Sequence, residues 1–286
     1  MIRRNIPAFL FLFSALSCIV IWYTVYYYEA PRHLAIHFFD VGQGDSIFLE
    51  LPNHRQVLID GGPTNAVLAK LGNAMPFWDR TIDLVILTHP HADHLDGLIE
   101  VLKRYEVGMV LESGAAYATP DYDEWNKLLR TTHTRVVYAH AGQHIMLSKE
   151  SGFDILYPFE NAAEKRFTNI HDSMVVSRFF YGSTSVLFMG DAERPVEYQL
   201  VGVGAHLAAD ILKAGHHGSK TSTTQALLDA VRPHFSAISV GRKNRYGHPH
   251  QDVVDRIAAA GISLFRTDTN GDIIFESDGM RMIPLP

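Results

Sequence analysis

Three histidines and two aspartates fall inside one short segment, Thr88-His89-Pro90-His91-Ala92-Asp93-His94-Leu95-Asp96-Gly97. His89 and His91 are two residues apart, so an extended backbone points both side chains to the same side. Asp93 and His94 are adjacent, so they diverge and can serve a second ion. Imidazole and carboxylate together suit zinc, manganese or iron. The segment holds no thiolate, which argues against a closed structural zinc site. A polar surface loop with scattered histidines is the alternative, and chance spacing rarely produces H-x-H-x-D-H between a strand and a helix.

Further positions carry chemistry. Asp191 follows Gly190 at the end of the apolar run Ser185–Met189. A carboxylate at such a strand end can bridge two ions. His216 and His217 are adjacent between Gly215 and Gly218. One can ligate metal while the other faces a substrate oxygen. Asp60, in Asp60-Gly61-Gly62, either orients a metal-bound imidazole from behind or simply forms a turn. Residues 241–250 gather Arg242, Lys243, Asn244, Arg245 and His248. Their cations can clamp phosphate, and His248 can reach a leaving oxygen as general acid or hydrogen-bond donor. A solvated loop whose histidine caps backbone is the plainer reading. The glycine-rich Asp40–Asp45 can cradle phosphate through backbone N–H groups or serve as a tight turn.

Such residues need strand ends and short loops to hold them. Leu84–Thr88 reads as a buried strand. Leu95, Leu98, Ile99 and Leu102 then lie on one face of a helix, so the motif occupies the loop between. Leu34–Phe39, Ser46–Leu51, Gln56–Asp60 and Val107–Glu112 read as further strands. Asp121–Arg130 reads as a helix with Trp125 and either Leu128 or Leu129 inward. Arg135–His140, His144–Leu147 and Phe153–Tyr157 are expected as successive strands of a second sheet. Met174–Tyr181 is expected to form a hairpin with Ser185–Met189. Asp210–Lys213, Phe235–Val240 and Ser263–Arg266 are strands, and Thr224–Val231 and Asp252–Ala260 helices. No repeat or linker divides residues 31–286, which are expected to form one α/β (α+β) domain.

The chain has 286 residues, 47% apolar and 20% charged, ordinary for a globular protein and long enough to bury a sizeable core. Cys18, the one cysteine, allows no internal disulfide. Arg3 and Arg4 precede an apolar run from Ala8 to about Tyr28, long enough to span a bilayer as one helix. Tyr23, Tyr26, Tyr27 and Tyr28 close it like an interfacial belt, and the arginines place the N-terminus in the cytoplasm. Residues 1–30 are therefore expected to be a transmembrane anchor, with residues 31–286 extracytoplasmic. Secretion after signal cleavage is the alternative, but the apolar residues directly after Cys18 favour an uncleaved anchor. Taking Arg3 and Arg4 from the 25 basic residues leaves 23 against 31 acidic ones, a net charge of about −8. That is not the footprint of a general nucleic-acid binder.

Taken in order, D-V-G-Q-G-D at Asp40–Asp45, Thr88–Gly97, Gly190-Asp191, K-A-G-H-H-G-S at Lys213–Ser219 and N-R-Y-G-H-P at Asn244–Pro249 resemble the metallo-β-lactamase superfamily. Within it, they look like the C-terminal domain of the ComEC DNA-uptake channels and its free-standing relatives. The resemblance runs from about Leu34 to Met282. It implies a four-layered αβ/βα sandwich, preceded here by one membrane helix in place of a multi-span channel. It also implies one or two divalent ions, zinc or manganese. By resemblance His89 and His91 bind the first ion, Asp93 and His94 the second, and Asp191 bridges. Either His216 or His217 is a further ligand. Many superfamily members place a histidine before the strand that starts here at Met174, where ComEC relatives carry asparagine and serine. Asn169 or His171 would fill that place.

The expected function is a metal-dependent hydrolase, a phosphodiesterase or nuclease using a metal-activated hydroxide. Asp93 and His248 are its candidate catalytic residues, Asp60 supports a ligand from behind, and Ser219, Arg242, Lys243, Asn244 and Arg245 would bind substrate. The substrate is a phosphoester, with single-stranded DNA among the candidates. A hydrolase of another ester, such as a choline-phosphate or cell-envelope ester, is an alternative. An aromatic cage would mark it, for which Tyr117, Tyr122 and Trp125 are candidates. A non-catalytic metal-binding module is a second alternative, and loss of ligands would mark that. The His-His-Gly-Ser and Tyr-Gly-His-Pro segments are not the β-lactamase pattern.

Overall fold

The computed structural model describes residues 6–29 and 33–286. Arg3 and Arg4 lie outside the described residues, as do the side chains of Tyr27 and Tyr28. Helix α1 (Ile6–Glu29) contains the window Pro7–Tyr26, whose mean hydropathy is 2.2. It is long and apolar enough to cross a membrane.

The first half of the domain is a meander that turns into alternating strands and helices. Strands β1 (Leu34–Phe38), β2 (Ile47–Glu50) and β3 (Gln56–Ile59) pair antiparallel. Then come α2 (Ala66–Ala74), β4 (Thr81–Leu87), α3 (Ala92–Leu102), β5 (Glu106–Glu112), α4 (Pro120–Thr132) and β6 (Arg135–Tyr138). From β3 to β6 each neighbour is parallel, as strands joined by helical crossovers must be. Thr119 starts α4 by accepting the Tyr122 N–H at 3.3 Å, with Pro120 directly after it, a favoured helix opening.

The second half repeats the plan. Strands β7 (His144–Met146), β8 (Ser151–Tyr157), β9 (Val176–Tyr181) and β10 (Thr184–Phe188) form an antiparallel meander. Helix α5 (Arg194–Gly202), β11 (Ile211–Lys213), α6 (Gln225–Val231), β12 (Phe235–Ile238), α7 (Gln251–Ala259) and β13 (Ser263–Arg266) follow, with β10 to β13 parallel. After the short α8 (Thr267–Asn270), β14 (Ile273–Ser277) and β15 (Met282–Pro284) return to the first sheet beside β1. The two sheets run β15-β14-β1-β2-β3-β4-β5-β6 and β13-β12-β11-β10-β9-β8-β7.

Their inner faces meet over Phe38, Phe153, Phe179, Phe188 and Phe275. Leu95, Leu98 and Trp125 pack helices on the outer face of the first sheet, and Val196, Leu227 and Val253 do so on the second. This is the four-layered αβ/βα sandwich. One strand sits elsewhere than expected. Arg135–Tyr138 belongs to the first sheet, where Met109 pairs with Arg135 and Val110 with Val136. The helix α4 before it makes it the last parallel crossover strand, and its half-buried valines carry no sign of which sheet they join.

Candidate metal centre

All the candidate ligands but His171, which lies in the turn before β9, leave the carboxyl end of a strand or the turn just after one. Asp60 follows β3, His89 and His91 follow β4, and Asp93 and His94 lie in the first turn of α3. Asp191 follows β10, and His216 and His217 follow β11. Close backbone approaches fix these loops. A Cβ on Gly97 would stand 1.9 Å from the Gly61 carbonyl oxygen, so only glycine lets α3 rest on the Asp60-Gly61-Gly62 turn. Gly44, at φ +142°, likewise approaches the Asp93 carbonyl, where a Cβ would stand 2.2 Å away.

Two ligand sets result. His89, His91 and His171 form one; Asp93, His94, Asp191 and His217 form the other, and within each set the donor atoms lie within 4.8 Å of one another. Asp191 stands between them. Its Oδ2 is 3.3 Å from His94 Nε2, 3.4 Å from His217 Nε2 and 4.0 Å from His89 Nε2. His171 Nε2 is 3.3 Å from His91 Nδ1, so the turn before β9 brings His171, not Asn169, to the first set. Asn169 instead caps that turn through the His171 N–H.

Hydrogen bonds behind the rings decide which nitrogen faces inward. Asp60 is fully buried and takes the Thr88 N–H at 2.8 Å, the Thr88 hydroxyl at 2.7 Å and His94 Nδ1 at 2.7 Å. The Thr88 hydroxyl proton is thus directed to Asp60, so His89 Nδ1, 3.2 Å away, is the donor of that pair. His217 Nδ1 donates to the Ser239 carbonyl at 2.9 Å. Three imidazoles therefore direct Nε2, the nitrogen free to ligate, toward Asp191. His94 Nε2, His217 Nε2 and Asp191 Oδ1 are buried and have no hydrogen-bond partner. Buried atoms of this kind require a partner, and a donor set of imidazole nitrogen and carboxylate oxygen fits a divalent cation.

The electrostatics agree. Burial works against charge on Asp191, yet His217 and His94 hold its carboxyl well below the ordinary range. Burial also opposes charge on Asp93, but His94 and His217 bring it to about 2. Burial, with His94 alongside, holds His89 well below the usual imidazole value. Against the cost of burial, Asp191 and the carboxylates beside it raise His94 and His217 well above the usual imidazole value, so with no cation among them these two rings carry the positive charge that a divalent ion would supply.

Several contributors were not picked out from the sequence. Lys213 is wholly buried, pairs with Asp45 and donates to the Gly190 carbonyl at 2.8 Å. Its Nζ is 3.9 Å from Asp191 Oδ1, so one buried cation braces the carboxylate between the two sets. Glu193 accepts from His216 Nδ1 at 3.2 Å and from the Thr221 hydroxyl at 2.6 Å. His216 lies on the wall of the site, with Nε2 3.9 Å from Asp191 Oδ2.

Above these residues opens a cavity of about 190 Å³ lined by Gln43, His91, Asp93, His171, His216, Tyr246 and His248 among others. Burial, with His216 and His217 nearby, lowers His248 to about 4, so it is neutral at neutral pH. Asn244 shapes this loop, donating to the Gly241 and His248 carbonyls at 2.9 and 2.7 Å. Arg242, Lys243 and Arg245 are exposed on the loop that carries Tyr246 and His248, outside the cavity lining. Ser219 is turned away, 5% exposed, with its hydroxyl 2.9 Å from that of Thr221. Two of the three candidates for an aromatic cage, Tyr122 and Trp125, are 7% and 0% exposed within the core under α4, and Trp125 donates to Glu112. Only Tyr117 approaches the site, its ring 5.7 Å from that of His91.

This fold and its two converging ligand sets define a class. The sequence profile of the metallo-beta-lactamase superfamily matches residues 39–242, and the chain belongs to that superfamily of metal-dependent hydrolases. The fold binds one or two divalent metals. Among curated proteins, the chain is 29% identical over 277 residues to ComE operon protein 3 of Bacillus subtilis, covering 91% of this chain and 35% of that protein. It is 30% identical over 240 residues to Recombination protein 2 of Haemophilus influenzae, covering 82% and 28%. It thus spans about a third of the length of these relatives. Among solved structures, the metallo-beta-lactamase fold protein YhfI from Bacillus subtilis superposes with a TM-score of 0.57 at 14% identity, covering 85% of this chain and all of that one. Igni18, a metallo hydrolase from Ignicoccus hospitalis, superposes at 0.56 with 15% identity, covering 86% and 99%.

Proposed function

We propose that the chain is a phosphodiesterase acting on single-stranded nucleic acid. The observation that carries this reading is the convergence of two ligand sets on Asp191 beneath a cavity lined by Tyr246 and His248, whose loop also carries the exposed Arg242, Lys243 and Arg245. In this reading His89, His91 and His171 hold one divalent cation, zinc or manganese, and Asp93, His94 and His217 hold a second, with Asp191 between. When bound, such ions make water acidic enough to supply hydroxide at neutral pH and offset charge on phosphoryl oxygens. Asp93, ionised at neutral pH, orients the attacking water. His216 keeps its Nδ1 proton on Glu193 and presents an acceptor nitrogen to the cavity. His248, a neutral imidazole, donates a hydrogen bond to the leaving oxygen. The cations of that loop hold flanking phosphates. The name of Recombination protein 2 supports a nucleic-acid substrate. Residues 1–30 would then anchor residues 31–286 on the outer face of a membrane, for which the length and hydropathy of α1 are the support.

The test is hydrolysis of single-stranded DNA and of a chromogenic phosphodiester by the full chain in detergent. Manganese, zinc and a chelator are compared, beside Asp93→Ala and His94→Ala. Metal-dependent DNA cleavage lost in both variants supports the reading. Cleavage of the small diester alone would redirect it to another phosphoester, and inactivity on both with metal bound would overturn it.

A further inference from the structure

The rim of the cavity carries an aromatic side chain that metal chemistry does not use. Tyr246 lines the cavity and is 50% exposed. Its ring lies nearly parallel to that of His248, at 24° and 5.7 Å between centroids. The ring is thus held at a set orientation beside His248. The loop beneath it is fixed too, because Asn244 accepts the Tyr246 and His248 N–H groups at 3.2 and 2.9 Å. A half-exposed tyrosine on an ordered loop costs the fold apolar surface left in water, and no core contact explains it.

Two cations of the same loop are held by neutral partners only. Arg242 Nε donates to the Asp268 carbonyl at 3.1 Å. Arg245 lies over the Tyr246 ring at 5.1 Å, with Nη2 3.0 Å from the phenol oxygen. Neither bond neutralises the guanidinium. Positive groups that track a phosphate backbone, interleaved with an aromatic face on which bases stack, are the physical signature of a single-strand platform. A local platform of this kind also reconciles nucleic-acid binding with the overall acidic charge.

We propose that Tyr246 stacks a nucleobase next to the scissile phosphate, so that the preferred substrates are base-bearing single strands rather than phosphodiesters in general. This rests on the phosphodiesterase reading above and adds a specificity residue to it. Stacking of one base on an aromatic ring corresponds to roughly ten-fold in affinity.

The experiment measures binding and turnover by the full chain in detergent. Binding of a fluorescent thymidine oligonucleotide and of an abasic oligonucleotide of equal length is followed by anisotropy in chelator, so that it reports no turnover. The wild type should prefer the base-bearing strand by about ten-fold, Tyr246→Ala should bind both alike, and Tyr246→Trp should keep the preference. In the metal-loaded enzyme, the same loss should appear in KM for the base-bearing strand. Equal binding of both strands by the wild type, or a preference that survives in Tyr246→Ala, overturns the inference. Cleavage of both strands without base preference overturns this inference alone, whereas no cleavage of either overturns the phosphodiesterase reading beneath it.

Discussion

Asp60 reaches no cavity, yet its replacement by asparagine should weaken metal binding. The carboxylate meets three donors at once: the Thr88 N–H, the Thr88 hydroxyl and His94 Nδ1, at 2.8, 2.7 and 2.7 Å. Asparagine has one acceptor oxygen and one NH2 group, so it cannot satisfy all three. If the NH2 takes the Oδ2 position, it faces His94 Nδ1 and drives the ring proton to Nε2, the atom that points at Asp191. If it takes the Oδ1 position, it opposes the Thr88 N–H and leaves a buried donor unpaired, a cost of about 1–3 kcal/mol. The first arrangement removes a ligand lone pair outright. Loss of such a partner behind a ligating histidine commonly weakens metal binding by about 10–100-fold, or roughly 1.4–2.7 kcal/mol. Competition with a chromophoric chelator measures the affinity, and urea unfolding in excess chelator measures the metal-free stability. A drop in affinity by about that factor is expected in Asp60→Asn, or else a stability loss near the figure for the unpaired N–H. Wild-type values for both would refute the tautomer argument.

Three further outcomes follow from named contacts. His171→Ala should remove one equivalent of metal from the first set and spare the second, since His171 belongs only to the former among the two proposed sets; metal analysis after dialysis reads this, and unchanged stoichiometry would exclude His171 as a ligand. Lys213→Met leaves Asp45 buried without its cation and should destabilise by about 3–5 kcal/mol, while Lys213→Met with Asp45→Leu should recover much of it; urea unfolding in chelator decides, and a double variant no better than the single one counts against the pair. Burial raises Glu112 to about 7 against a reference of 4.5, partly offset by the Trp125 N–H. The folded state therefore holds this proton more tightly than the unfolded chain. Its stabilising contribution is complete below pH 4.5 and is lost as pH rises through about 7, a difference of roughly 3 kcal/mol at most. Glu112→Gln should gain stability relative to wild type at pH 8 and not at pH 4, read from unfolding midpoints at both; equal shifts at the two pH values would contradict it.

What could be read from the sequence was what lies close along the chain. His89, His91, Asp93 and His94 share a strand end and a helix start, so spacing alone brings them together. The choice between His216 and His217 lay beyond spacing. Both adopt left-handed backbone, with φ of 46° and 52°, and this sends adjacent rings to different places. Strand β6 was assigned to the wrong sheet for a related reason, because pairing partners distant in sequence leave no local trace. The Asp45–Lys213 pair shows which long-range features still leave a signal. Lys213 ends the three-residue strand Ile211–Lys213, where every residue is buried, and a lysine is almost never fully buried unless paired. Read that way, Ile211-Leu212-Lys213-Ala214 demands an acid from elsewhere in the chain. Asp45, which closes a glycine-rich turn whose Gly44 packs against Asp93, meets that demand. One contact thus ties the loop after β1, the start of α3 and the end of β11 to a single centre, and the lysine that makes it was visible as an anomaly before any fold was known.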